Sequence, residues 1–207
     1  MGTTVNLLSA ASGDDATTSM NALVDTMLQL GLTTGNAARD AQTMTSVANA
    51  LAASAKVGAA EIPQVAQSLL QVGVAAKGAN LDVVSVNAAV QVLAVGGKTG
   101  AEAGVALRNV LGLIQKASGP AEQAMKTLGT SSKELGELLT TQGLDAALSK
   151  LKGGMDGLGS AAERNATLMT IFGTENSAAA GILLDNLGQF KEFEEGIRAG
   201  TEGTGEA

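Results

Sequence analysis

The chain has 207 residues and a net charge of -7, and 45% of its residues are apolar although it contains only three Phe and neither Trp nor Tyr. The absence of Cys and His excludes thiol nucleophiles, disulfides, imidazole bases and the usual zinc, haem and iron–sulfur ligand sets. With 13 basic against 20 acidic residues, we expect no specific nucleic-acid binding, because a phosphate-backbone footprint needs clustered Lys and Arg.

Apolar residues recur at helical spacing in segment after segment, with Gly, Pro and capping residues between them. The small aliphatic content also favours helices over strands. We therefore predict an all-α fold of about ten short helices joined by glycine-rich turns and packed as helical hairpins or an irregular bundle. In chain order the predicted helices lie at 14–30, 36–54, 60–76, 81–95, 100–117, 120–128, 132–140, 143–152, 160–171, 175–187 and 189–198. No run of about 18 apolar residues occurs, so a conventional membrane span is not expected.

Glycine-rich and polar segments divide the chain into four parts. We predict a flexible N-terminus at 1–13, a helical unit at 14–118, a second helical unit at 119–198 in the same domain or a separate one, and a disordered tail at 199–207.

The first helical unit carries a weak internal repeat. "LQLGL" at 28–32 reappears as "LQVGV" at 70–74, an offset of 70 − 28 = 42 residues. Two successive helical hairpins of similar build would explain it, and chance similarity between alanine-rich helices would explain it equally well.

The segment "GGKT" at 96–99 looks like a phosphate-binding loop, but the Walker pattern requires Gly where this chain has Val92. A capping box is the better interpretation, in which a Ser or Thr hydroxyl accepts from the N3 backbone N–H and a Glu at N3 reaches back to the cap's own N–H. The predicted pairs are Thr99 with Glu102, Ser131 with Glu134, and Ser160 with Glu163.

Arg108 lies on the predicted helix at 100–117, between Gly104 and Gly112, where small residues allow another helix to approach. It is a candidate partner contact. We favour the other interpretation, in which it ties a neighbouring helix end by hydrogen bonds to carbonyls.

Two acidic groups are candidates for metal binding or acid–base chemistry, namely Asp14 with Asp15, and Glu192 with Glu194 and Glu195. Without His, and without a calcium-loop pattern, we interpret them as solvated helix faces or N-terminal charges. We therefore predict no catalytic residue, no cofactor site and no metal site, and no enzymatic activity.

An aromatic-poor core of small residues buries little apolar area per helix. We therefore expect a marginally stable monomer or a concentration-dependent oligomer. The candidate contact faces are Val83, Val86, Val90 and Leu93 on one helix, and Ala178, Ile182 and Leu183 on another.

The stretch "GGKTGAEAGVALRNVLGLIQKASGPAEQAMKTLG" resembles the shared helical region of phage tail tape measure proteins, with Arg108 similar to the family's Arg in Ala-Leu-Arg. The later "ERNATLMTIFGTENSAAAGILLDN" resembles the family's Phe-Gly turn followed by an alanine-rich helix. The helices upstream of both follow the family order, so the resemblance runs from about Thr17 to Leu187.

The resemblance implies a structural component of a phage or prophage tail. It implies a chain made in the bacterial host cytoplasm that lies inside the tail tube of the virion, takes part in tail assembly and length determination, and leaves during genome delivery. The implied partners are the tail tube protein, tail assembly proteins and other copies of the chain. Because family members are far longer, it also implies an excerpt or a truncated member.

A membrane-active helical protein that acts in host-envelope penetration, through transient contact with the host membrane, is the alternative function. Helices that lie on membranes carry many Lys and Arg on their polar face, whereas this chain is acidic.

Overall fold

The computed structural model describes residues 16–117 and 119–202, together with Asn6 and Ser9. The prediction of a flexible segment at 1–13 lies outside the described residues, except for those two, which are helical. The described part of the chain consists of ten α-helices and contains no strand, so the all-α prediction is confirmed. The helices are α1 (Ala16–Leu30), α2 (Ala37–Val57), α3 (Ile62–Gly78), α4 (Val83–Val95), α5 (Gly100–Gln115), α6 (Pro120–Thr127), α7 (Ser132–Gln142), α8 (Leu144–Asp156), α9 (Ala161–Asp185) and α10 (Leu187–Glu202).

Four helices end in the same backbone motif, in which a residue with positive φ follows the last turn. These residues are Gly31 (φ 67), Asn80 (φ 56), Gly97 (φ 85) and Gly129 (φ 75). After Gly97, for example, the Lys98 N–H donates to the Leu93 carbonyl at 2.9 Å, while the Gly97 N–H donates to Ala94 at 2.9 Å. This pair of bonds is a Schellman motif, so the "GGK" of the false phosphate loop terminates α4.

The odd-numbered helices α1, α3 and α5 form one layer of parallel helices. Gln29 of α1 lies against Gly73 of α3, and Gly31, just after α1, lies against Lys77. Residue numbers thus increase in the same direction along both helices, so α1 and α3 are parallel. Between α3 and α5, which share the most extensive contact of the fold, Gly104 lies against the backbone of Ser68. The absence of a side chain at Gly104 is what allows this close approach.

The helices α2 and α4 form a second layer, and α10 lies over both of them. Gly196 and Gly200 of α10 face Val57 and Ala53 of α2. The residues 199–202 continue α10, so the prediction of a disordered tail is wrong for these four residues, while 203–207 lie outside the described part.

One hydrophobic core includes residues from all ten helices. The two predicted units at 14–118 and 119–198 share this core, because α10 packs on α2 and α4, and α9 packs on α4 and α5.

Helix α4 is the most enclosed element, with every residue from Val84 to Ala94 buried. The candidate contact face of Val83, Val86, Val90 and Leu93 is therefore enclosed within the chain, with Val83 half-buried and the other three fully buried. That prediction is wrong because α2 and α10 pack on α4 from distant parts of the sequence.

Helix α9 reverses direction at Gly173, whose φ of 73° and ψ of 166° are not helical. Arg164 and Asp185 form an ion pair across the two halves, although 21 residues of straight helix would separate them by about 31 Å. The two halves form a hairpin and match the separate helices predicted on either side of the Phe-Gly turn.

The two copies of the sequence repeat differ in local conformation. "LQLGL" ends α1, where Gly31 has positive φ, whereas "LQVGV" lies inside α3, where Gly73 is helical. The ends of α1 and α3 are 78 − 30 = 48 residues apart, and those of α2 and α4 are 95 − 57 = 38 apart. The hairpins follow one another in order, with different helix lengths.

Candidate functional site

The start of α7 is fixed by Ser131 and Glu134. The Ser131 hydroxyl accepts from the Glu134 N–H at 3.1 Å. The Glu134 carboxylate does not return to the Ser131 N–H as the capping box predicted; it accepts from the Thr130 hydroxyl at 3.2 Å and pairs with Lys150 of α8 at 3.1 Å. The hydrogen bond from Lys150 is the main reason why the pKa of Glu134 is lowered. Glu134 thus joins α7 to α8.

The start of α9 has a similar arrangement. The Ser160 hydroxyl accepts from the Glu163 N–H at 3.2 Å, and the Glu163 carboxylate accepts from the N–H of Gly159 at 3.1 Å. The predicted bond from the Glu163 N–H to the Ser160 hydroxyl is present. The Glu163 carboxylate was predicted to accept from the Ser160 N–H, and it accepts instead from the N–H of the preceding residue, Gly159.

The capping box predicted at Thr99 and Glu102 is not formed. Thr99 has the extended conformation of a cap, but its hydroxyl makes no capping hydrogen bond. The reason is Gly100, whose φ of +58° turns the chain before the first helical turn. Glu102 pairs with Lys98 instead. The Gly100 carbonyl accepts from the buried Ser68 hydroxyl at 2.7 Å, so the start of α5 is tied to α3.

Asn36 and Asp82 cap two other helices. The Asn36 amide oxygen accepts from the N–H groups of Ala38 and Arg39, each at 3.1 Å. Asp82 accepts from the Ser85 N–H at 2.8 Å. Asn and Asp at such positions are the residue types that most often cap helices, so both could be found from sequence.

Arg108 is exposed on α5 and, among the described residues, makes no hydrogen bond and no ion pair. Our favoured interpretation, in which Arg108 ties a neighbouring helix end, is therefore wrong. Gly104 on the same helix is buried against α3, whereas Gly112 is exposed like Arg108. The close helix approach occurs at Gly104 and leaves the guanidinium in solvent.

The acidic residues near the C-terminus are not gathered into a site. Glu192 and Glu195 are exposed, while Glu194 accepts from the Ser85 hydroxyl of α4 and lies 3.5 Å from Arg198. Glu194 therefore helps to hold α10 on α4. Asp14 and Asp15 lie outside the described residues. Within those residues no group of three or more His, Cys, Asp or Glu could hold a metal ion.

A groove of about 460 Å³ lies along the α9 hairpin. Leu168, Met169 and Ile182 give it apolar walls. Its carboxylate, Asp185, forms an ion pair with Arg164.

Among the described helices, none combines the length and the apolarity that a membrane crossing requires. This finding concerns membrane spans alone.

A family model with the description "phage-related minor tail protein" matches residues 1–173. The matched region includes α1 to α8 and the first half of the α9 hairpin. No curated protein and no solved structure matches the chain.

Proposed function

The chain belongs to the family of phage-related minor tail proteins, and we propose that it is a segment of a tape measure protein within that family. In this role it occupies the lumen of the tail tube, takes part in tail assembly and length determination, and is released during genome delivery. The single observation that carries the proposal is the family match over 1–173, supported by the ordered resemblance of the helices to tape measure proteins.

The charge of the chain is compatible with a place in a channel that DNA must later cross. A net charge of -7 gives an acidic surface, and like charges repel the phosphate backbone. A protein that leaves with or ahead of DNA must not bind it tightly, and this surface disfavours such binding.

The folded state of this region supports a docking module more than an extended ruler. One continuous helix of 207 residues would span roughly 310 Å, whereas a compact chain of this length has a radius of gyration of about 17 Å. We propose that the module docks on the tail tube protein or on tail assembly proteins, and that length is set by other parts of the parent protein.

The proposal is tested by complementing a phage that lacks the gene and measuring tail lengths by electron microscopy. Leu107→Asp places a charge at a fully buried position of α5, and Ala101→Asp places the same charge at an exposed position of α5. We expect Leu107→Asp to give no tails or tails of uncontrolled length, and Ala101→Asp to give tails of normal length. Normal tails with Leu107→Asp would show that the folded module is not needed for tail assembly.

A further inference from the structure

Four apolar side chains on α1 and α3 are exposed, namely Val24 (36%), Leu28 (58%), Leu70 (40%) and Val74 (70%). Each pair is spaced by four residues, so each lies on one face of its helix. We call these four side chains the outer stripe.

The two halves of the outer stripe lie on the same side of the α1–α3 contact. Successive residues of a helix are rotated by about 100°. On α1, Val24 and Leu28 therefore lie about 100–140° around the helix axis from Gln29. On α3, Leu70 and Val74 lie about 60–100° from Gly73, in the opposite sense of rotation. Because Gln29 faces Gly73 and the helices are parallel, opposite senses lead to the same side. The buried Leu23 and Met27 lie on the other side, toward the core. The outer stripe is thus one apolar surface facing away from the core.

Opposite charges stand at the two ends of this surface. Asp25 adjoins Val24, on the side of the outer stripe that is nearer the start of α1. Lys77 lies about one turn beyond Val74, near the end of α3. Both are exposed and neither forms an ion pair with any described residue. Since Gly73 is level with Gln29, the two charges are about eight residues, or about 12 Å, apart along the helix axes.

We propose that the outer stripe binds the outer stripe of a second copy of this chain in an antiparallel, two-fold arrangement. A two-fold axis across the helices reverses their direction, so that Asp25 of each copy meets Lys77 of the other. The same surface then supplies both halves of the interface, and two equivalent ion pairs form between Asp25 of one copy and Lys77 of the other. A second copy is the partner that this arrangement of charges fits, whether or not the chain lies in a tail tube.

The first test measures the mass of the full chain by sedimentation velocity over a hundredfold range of concentration. We expect a monomer–dimer equilibrium in which Val74→Glu raises the dissociation constant at least tenfold. Met169→Glu is the matched control, because Met169 is 48% exposed on α9, away from the outer stripe, and the charge change is the same. A wild-type chain that is monomeric throughout, or equal effects of the two variants, would overturn the proposal.

The second test reverses the charges. Asp25→Lys alone brings two cations together across the interface, and Lys77→Glu alone brings two carboxylates together, so each should weaken the dimer. The double variant restores opposite charges and should return the dissociation constant to near the wild-type value. Far-UV circular dichroism checks that all variants stay helical. A double variant that dimerises as poorly as either single variant would contradict the antiparallel pairing.

Discussion

Two buried amides on α4, one turn apart, have opposite surroundings. The Gln91 amide donates to the carbonyls of Ser54 and Ala60, each at 3.0 Å, and its oxygen accepts from the Ala60 N–H at 2.7 Å. It holds the end of α2 and the following loop against α4. Asn87 is equally buried, and its amide nitrogen and oxygen find no partner among the described residues. A polar group buried without a hydrogen bond destabilises the folded state.

We predict that replacing these two residues with Leu changes stability in opposite directions. Gln91→Leu leaves the Ala60 groups unsatisfied and should lower the free energy of unfolding by about 1–3 kcal/mol. Asn87→Leu removes two unsatisfied atoms and fills a similar volume, so it should raise that free energy by about 1–2 kcal/mol. Urea titration followed by circular dichroism measures both, and a loss of stability in Asn87→Leu would show that Asn87 has a partner in solution.

Asp40 gives a prediction about pH. Its carboxylate accepts from the Thr34 hydroxyl at 2.7 Å and from the Thr34 N–H at 2.8 Å, and the hydroxyl bond is the main reason why its pKa is lowered from 3.8. A lowered pKa in the folded state contributes stability that is present above 3.8 and is lost as pH falls through the lower folded value.

Asp40→Asn should therefore reduce the loss of stability in acid, measured by urea unfolding from neutral pH down to below 3.8. Thr34→Val, which removes the hydroxyl donor and keeps the carboxyl group, should have the same effect to a smaller degree. An unchanged acid dependence in Asp40→Asn would mean that the Thr34 contacts do not persist in solution.

At the scale of helices, glycine has different roles within α5. A Cβ at Gly104 would collide with the backbone of Ser68, whereas a Cβ at Gly112 would meet nothing within 4 Å. We predict that Gly104→Ala lowers the free energy of unfolding by about 1–3 kcal/mol through overpacking. Gly112→Ala should raise it by about 0.5–1 kcal/mol through helix propensity. Thermal unfolding of both variants checks this, and a stabilising Gly104→Ala would contradict the close packing of α3 and α5.

Helix positions could be predicted because the signals that start and stop helices are local. Gly97 and Gly129 end helices, Pro120 begins one, and the turn at Gly173 separates the two halves of α9. The cap at Thr99 failed for an equally local reason, since the backbone of Gly100 adopts a conformation that residue type permits but does not require.

The surroundings of side chains could not be predicted in the same way. Val86 and Val90 have the pattern of an open apolar face, and only the arrival of α10, about a hundred residues later in the chain, shows that they are buried. Arg108 shows the opposite case, because it is exposed and makes no hydrogen bond or ion pair with any described residue. Contacts between distant segments depend on the whole fold, and periodicity alone does not report them.

The whole molecule is a folded body in which the first and last described helices belong to one core. Its accessible surface of 9438 Å² is close to the roughly 8,900 Å² of a compact monomer of this size. In the role that we propose, a body of this size would occupy a short length of the tube, and its release would require it to unfold or rearrange. The alanine-rich helices and the unsatisfied Asn87 reduce the cost of that step.

The central claim, a place inside the tail tube followed by release, is tested most directly by protease protection of the chain in intact and in DNA-emptied particles. A fibre protein on the outside of the tail serves as the digested control, and the tail tube protein serves as the retained one. We predict that the chain is fully protected in intact particles and absent from emptied ones. Digestion of the chain in intact particles at the rate of the outer fibre protein, or its full retention after DNA release, would contradict the claim.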